Sequence, residues 1–501
     1  MKRKSYRKPR AGEVLLVAVA LIVMIGTCII FLSNVGNKEK LAENDSKDPG
    51  IAGIDNESGL ENDPGLESGL SSGLEHEPGS EFDIKRENEG DPDFITVTGD
   101  PSVFGPSNTI SVIDIASADP ELLSTLNEES ESHNSAAVSL VIYDGFAGEY
   151  YFYTYGYADI AEQRPVNQDT KFRIASLSKL VTAICAMMLV DNGLLDLDED
   201  ISTYLGYRVR NPNFPDTPIT TRMLLQHTST IHDSEAFHDS IMGRERVSTQ
   251  NLLGRESSFW GVRPGTGFAY TNFGYTVLGA VCEMASGVKL DDFARTRLFH
   301  PLGIDASFFA ARLDDTSNIA VLYDSAHGVS RSVDAQIRNN RSGDLGQDQH
   351  LAQGSLMISA LDYAKILAML GNGGELLNVR VLTLESVEEI HNADVDGAGA
   401  AYRQGLASRH SFGDFVPDNG FYWHTGSAYG LFAQYIYKIG RPDGGDSERV
   451  NGTAKFGDDI NRGVVVITTG ASTGRADSGK INVCTHLSEF AWRGLGFAGI
   501  A

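Results

Sequence analysis

Leu177, Leu180, Val181, Ile184, Met187 and Met188 fall at the spacing of one helical face, and Gly193 follows as a stop. The same periodicity predicts helices over residues 120–131, 220–226, 276–285, 290–298, 360–370 and 481–494. Extended runs predict strands over 136–143 and 150–157 around an Asp144-Gly145 turn, and again over 420–424, 431–439 and 463–469. Residues 440–462, rich in Gly and Asp, read as a long loop between two late strands. Strands at both ends with helices between them imply an α+β fold. An antiparallel sheet is built from both ends of the domain and flanked by helices, with a helical lobe inserted.

The first hundred residues follow neither pattern. Residues 1–11 carry six basic side chains and no acid, and residues 14–32 are 19 positions without a charge. That length suits one bilayer crossing, and the basic flank predicts an inside N-terminus. We expect a cytoplasmic tail at 1–11 and a signal anchor at 12–33, a cleaved secretory signal being the alternative. Residues 34–93 hold 17 acidic and 5 basic side chains, with a recurring Ser-Gly-Leu or Pro-Gly-Leu unit. They lack the apolar surface to offset chain entropy. The expected organisation is an acidic disordered tether at 34–115 and a catalytic domain at 116–501 outside the membrane. The net charge of −26 over 501 residues argues against a nucleic-acid partner. Cys28 lies in the apolar run, and Cys185, Cys282 and Cys484 read as small buried hydrophobes. No Cys/His group has metal-ligand spacing, so no metal and no cofactor is expected.

Ser-x-x-Lys occurs at Ser5/Lys8, Ser176/Lys179 and Ser286/Lys289. Only the second opens a periodic apolar helix; the first lies in the basic tail and the third is interrupted by Gly287. Serine and lysine three positions apart share a helical face, so the amine can take the hydroxyl proton. Two further segments follow in order: Tyr270-Thr271-Asn272 and His424-Thr425-Gly426-Ser427. Each has a bland reading alone: a core tyrosine, a turn asparagine, a strand-end histidine. Together they resemble the penicillin-recognising serine hydrolases, marked by Ser-x-x-Lys, Tyr-x-Asn and Lys/His-Thr-Gly in this order. The resemblance covers roughly residues 120–500. It is nearest to the branch of class C β-lactamases, D-alanyl-D-alanine carboxypeptidases and esterases.

That resemblance implies a β-lactamase/transpeptidase-like fold and an acyl-enzyme on Ser176. Lys179 would be its base, with burial favouring the neutral amine. Tyr270 would relay a proton to the leaving group, and Asn272 would hold Lys179 and the substrate amide. Both side chains are expected to point one way from an extended segment. His424 would meet a substrate carboxylate or the relay hydroxyl. Thr425 and Gly426 would form the substrate strand, and the N–H groups of Ser176 and Ser427 the oxyanion hole. His227 reads as structural. Thr230 stands where relatives usually carry glycine after His-Thr-Ser, so that turn is expected to differ, and Tyr429 puts an aromatic at the pocket mouth. The expected activity is a carboxypeptidase-like peptidase on a small or cell-wall peptide. A β-lactamase or esterase of the same fold, or a silent surface-binding module, is the alternative.

Overall fold

A strand that is apolar on both faces needs cover on both. The run 137–144, with every residue buried, has this. The computed structural model describes residues 109–495 except 246, 339–342, 348–350, 393, 398–401, 414–415, 440–460 and 475–479. Its centre is a ten-stranded sheet. Nine of its strands are β1 (Ser111–Asp114), β2 (Ala137–Asp144), β3 (Glu149–Asp159), β4 (Val395–Asp396), β5 (Arg403–Gln404), β6 (Arg409–Gly413), β7 (Val416–Ala428), β8 (Leu431–Ile439) and β9 (Asn461–Thr469). Their spatial order is β1-β3-β2-β9-β8-β7-β6-β5-β4, with the short strand Arg164–Pro165 beside β3. Only β1 runs parallel to its neighbour; the other pairs in the sheet are antiparallel. The first and last thirds of the domain therefore meet at β2–β9, where Val465 lies opposite Val141.

The five long helices are α1 (Pro120–Ser132), α2 (Ser178–Asp191), α3 (Asn272–Ser286), α4 (Ala360–Gly371) and α5 (Asn482–Gly494). Alternate residues of the central strands feed two separate cores. Val141, Tyr143, Val465 and Ile467 pack with α2, α3 and α4. Val138, Leu140, Ile142, Val464 and Val466 pack with α1 and α5. The helix α2 is buried almost all round because it runs between sheet and lobe. Cys185, Cys282 and Cys484 are buried free thiols.

Three expectations change. The last part of the expected tether is folded: β1 pairs with β3, and Asp114 caps the short helix Ile115–Ala118. The helix expected over 290–298 is regular only over Leu290–Ala294 before it widens at Arg295–Phe299. Strand β7 is much longer than 420–424 because its partner β8 offers a ladder from Tyr437 to Leu431. The expected anchor, most of the tether and most of the 440–462 loop lie outside the described residues, among which no helix is long and apolar enough to cross a membrane.

Candidate active site

The turn that delivers Ser176 is strained. Ala175 has φ 48°, a left-handed conformation unusual for a residue with a Cβ. Ser176 lies in the single 3-10 turn Ala175–Leu177, and regular helix begins at Ser178, two residues later than the sequence suggests. Groups from three segments hold the turn. Ser178 Oγ donates to Ala175 O at 2.6 Å, and Leu356 N donates to Ser178 Oγ at 3.1 Å. Tyr363, on α4, donates to Leu177 O at 2.9 Å.

Lys179, in the first turn of α2, is completely buried. Its Nζ donates to Ser176 Oγ at 3.1 Å, to Asn272 Oδ1 at 2.9 Å and to the Gln353 carbonyl at 2.9 Å. It also lies 4.9 Å from the centre of the Tyr270 ring. The Tyr270 hydroxyl donates to Ser176 Oγ at 3.0 Å. The Ser176 oxygen is thus within proton-transfer reach of both an amine and a phenol.

Tyr270 and Asn272 do converge, but not from one extended segment. Thr271 is extended (φ −149°, ψ 137°) and caps α3 by accepting from Gly274 N. Asn272 is the first residue of that helix. Its amide orientation is set by Asp233, which sequence reading missed. Asp233 Oδ2 accepts from Asn272 N and Nδ2, both at 2.9 Å. Its Oδ1 accepts from Thr271 Oγ1 at 2.8 Å and Phe273 N at 2.7 Å. With Nδ2 so engaged, Oδ1 must face Lys179. The carboxylate also complements the helix N-terminus. The only hint in sequence was an acid placed shortly after the Gln226-His227-Thr228 helix end.

His227, at the helix end, meets backbone through one ring nitrogen, while its buried Nε2 has no hydrogen-bond partner among the described residues. Its Nδ1 accepts from Thr271 N at 3.2 Å, and its ring lies 4.4 Å from the Tyr270 ring. Burial, reinforced by Lys179 and Arg409, holds its pKa well below the ordinary histidine value. Thr230 adopts φ 67°, so this turn keeps a conformation glycine favours although it carries threonine.

Strand β7 supplies the third motif. Gly426 is required by contact: a Cβ there would collide with Ile174 O and stand 3.3 Å from Ser176 N. Thr425 is buried beside it, and Ser427 is half-buried on the same strand. His424 is buried, with Nδ1 donating to Thr425 O at 2.8 Å and its ring 6.1 Å from that of Tyr270. Burial first, then Arg409 and Lys179, hold its pKa well below the ordinary value. His424 therefore offers a neutral ring near Tyr270 rather than a cation for a substrate carboxylate.

Positive charge lies elsewhere. Tyr429 occupies the β7–β8 hairpin turn with φ 54° followed by Gly430 at φ 76°. Arg331 lies 3.9 Å above its ring and Arg173 5.3 Å away. Burial opposes ionisation of this phenol, yet the two guanidinium groups hold its pKa below the ordinary tyrosine value. The aromatic noted at the mouth is thus part of a cationic cluster three residues from Ser176 in sequence on one side and two from Ser427 on the other.

A family model described as Beta-lactamase matches residues 124–482. Over 271 residues, 49% of this chain and 66% of the relative, the sequence is 30% identical to lovastatin esterase of Penicillium rubens. Over 223 residues, 40% of this chain and 54% of the relative, it is 27% identical to the D-alanyl-D-alanine-carboxypeptidase/endopeptidase AmpH of Escherichia coli. The aligned stretches span about a third to two thirds of the curated relatives' own length. Among solved structures, an octameric penicillin-binding protein homologue from Pyrococcus abyssi superposes with a TM-score of 0.56 at 22% identity, over 75% of this chain and 77% of that one. The matched span runs from α1 to the start of α5 and encloses all three motifs; the chain belongs to the beta-lactamase family, within the penicillin-recognising serine hydrolases.

Proposed function

We propose that the protein is a serine hydrolase working through an acyl-enzyme on Ser176, and that its substrate is a small peptide ending in a D-amino-acid carboxylate. The observation that carries the reading is Ser176 Oγ held 3.1 Å from Lys179 Nζ and 3.0 Å from Tyr270 Oη. Neutral Lys179 takes the Ser176 proton as Oγ attacks the scissile carbonyl. The tetrahedral oxyanion is received by the N–H groups of Ser176 and Ser427; one such donor is worth about 10²–10³ in rate. Tyr270 passes its proton to the leaving amine and regains one from Lys179, so the amine departs neutral and Lys179 returns to its starting form. Water then attacks the ester by the reverse relay.

Two observations support a carboxylate-ended substrate. Arg173 and Arg331 flank Tyr429 at the cleft, and Arg409 lies 5.6 Å from the Tyr270 ring. The carboxypeptidase relative points the same way. An ester substrate is the second reading, favoured by the lovastatin esterase match. The 19 uncharged residues at 14–32 behind a basic tail support an N-terminal anchor with the catalytic domain outside the cell, where wall peptides are accessible. The test is turnover of a D-Ala-D-Ala peptide, nitrocefin and a p-nitrophenyl ester, with fluorescent penicillin labelling of Ser176. Peptide cleavage above the other two is expected. Ester turnover with no peptide cleavage overturns the peptidase reading, and no labelling of wild type by penicillin or a fluorophosphonate overturns covalent catalysis.

A further inference from the structure

On the face of the sheet away from Ser176, α1 and α5 close over the second core. Glu129 and His133 are one turn apart on α1 and share a face; His486 reaches them from α5. Their ligand atoms converge. His133 Nε2 is 3.0 Å and His486 Nδ1 2.9 Å from the same carboxylate oxygen, Glu129 Oε1. The two ring nitrogens are 3.3 Å apart.

The tautomer of His133 is fixed from outside this triangle. Its Nδ1 lies 3.1 Å from Ser472 O, and a carbonyl can only accept, so Nδ1 carries a proton. The bond is reciprocal, since Ser472 N donates to His133 O at 2.7 Å, and the pair sets the ring's orientation. In neutral His133 the lone pair is then on Nε2 and points at the carboxylate oxygen, acceptor against acceptor. A cation at the centre satisfies such an arrangement. A histidine whose far nitrogen donates to a backbone carbonyl is also the usual arrangement of a metal ligand. Tetrahedral zinc with bonds of about 2.0–2.1 Å separates its ligand atoms by about 3.3–3.4 Å. The observed sides of 2.9, 3.0 and 3.3 Å need to open by only a few tenths.

We propose that Glu129, His133 and His486 form a site for a divalent transition metal, with Zn²⁺ the best match and water in the fourth position. Two imidazoles exclude Mg²⁺ and Ca²⁺, which prefer oxygen. The ion would join the first long helix of the domain to its last. It is a staple between chain ends, separate from the chemistry at Ser176. Sequence inspection could not assemble it, because His486 is 353 residues from His133.

The test uses the full-length, tag-free chain stripped with a chelator and titrated with Zn²⁺ by calorimetry and thermal melting. One ion per chain is expected at micromolar affinity or tighter, with Tm raised by about 2–5 °C at saturating metal. His486→Ala, at an exposed side chain, should weaken binding at least tenfold and remove the rise in Tm. Glu129→Gln, which keeps the shape, should weaken it as well. Esterase turnover should be the same in wild type and His486→Ala without metal. The proposal is overturned by no binding heat, or by binding unchanged in His486→Ala. It is equally overturned if saturating zinc leaves Tm of the wild type unchanged.

Discussion

Ser176/Lys179 and Ser286/Lys289 are the same tetrad in two places, and the fold treats them in opposite ways. Lys289 sits beyond the end of α3, after Gly287 at φ 69°, and meets a carboxylate directly: Nζ is 3.3 Å from Glu283 Oε2. Ser286 spends its hydroxyl on Cys282 O at 2.7 Å, a local bond within its own helix. Lys179 is completely buried and meets Ser176, the carbonyl oxygen of Asn272 and the Gln353 carbonyl. An acid is present there too, but one step removed, because Asp233 grips the amide nitrogen of Asn272 and leaves the oxygen for the amine. One amine is a partner in an ion pair; the other, buried against amide oxygens and the Ser176 hydroxyl, is placed to act as a base. What separates the two tetrads is thus which atom faces the amine, and the tetrad itself does not encode that.

The largest effects should separate the two tetrads outright. Ser176→Ala should abolish penicillin labelling and lower kcat/KM by about 10⁴ or more, whereas Ser286→Ala should leave both unchanged. Comparable losses in the two variants would break the comparison. A sharper version converts one environment into the other. Asn272→Asp places a carboxylate on Lys179, as Glu283 does on Lys289. We expect kcat/KM at pH 7 to fall about 100-fold or more. The rising limb of its pH profile should move up, because the amine then holds its proton to higher pH. Loss of activity with an unmoved profile would assign Asn272 to substrate binding alone.

Next comes the acid one step back. Asp233→Ala leaves the Asn272 amide free to flip and removes the acceptor of two first-turn N–H groups of α3, so kcat should fall about 10–100-fold. Asp233→Asn should recover part of it by still accepting from a backbone N–H. If Asp233→Ala lowers Tm while leaving kcat of the folded fraction intact, the residue is a helix cap and nothing more.

These contrasts also explain what was legible in the sequence. The nucleophile helix, the three motifs in order, and the two-ended sheet were legible because each is a local pattern of burial or chemistry. β8 was expected at its observed bounds, Leu431–Ile439, since its apolar run ends in turn residues on both sides. The strained Ala175, the Asp233 clamp and the Arg173–Tyr429–Arg331 cluster were not legible. Each depends on contacts between distant segments: Arg331 reaches Tyr429 from a hairpin almost a hundred residues earlier. Asn272 was assigned the right partner but the wrong backbone, because a Tyr-x-Asn step reads as extended until a capping threonine is recognised between the two.

A smaller, global effect concerns the histidines packed on the catalytic side of the sheet. His227 and His424 are held well below the ordinary histidine pKa chiefly by burial, with the neighbouring Lys179 and Arg409 as lesser causes. Burial takes His391 to about 4. Its Nδ1 donates to Val387 O at 2.7 Å, so Nε2 accepts the Tyr437 hydroxyl at 2.6 Å and the neutral ring is fully satisfied. A folded-state pKa below the unfolded value means the unfolded chain binds more protons. This contribution is complete above about pH 6.5 and is lost as pH falls toward 4; for His391 the separation is worth about 3 kcal/mol. Denaturant melts at pH 7.5, 6 and 5 should show stability falling below pH 6.5. A flat profile would mean that the pocket opens to water and the histidines are not held neutral.

The smallest effect tests whether strain near the cleft belongs to catalysis or to packing. Thr230 is β-branched at φ 67°, which costs about 1–2 kcal/mol. Thr230→Gly removes that strain but loosens the unfolded chain by about 0.5–1 kcal/mol. It also loses the 3.0 Å bond from Asn211 Nδ2 to the threonine hydroxyl. That loss is slight, because the same Nδ2 donates to Trp260 O at 2.7 Å and Val262 O at 3.1 Å, and two acceptors suffice for its two protons. The opposing contributions nearly cancel, so Tm should shift by no more than about 2 °C. The turn leads within three residues to Asp233, and through it to Asn272 and Lys179. If Thr230→Gly leaves Tm in place yet lowers kcat more than tenfold, threonine's strained turn is what aims Asp233. If kcat is unchanged, the clamp is set by its four hydrogen bonds alone, and glycine or threonine can precede it equally well.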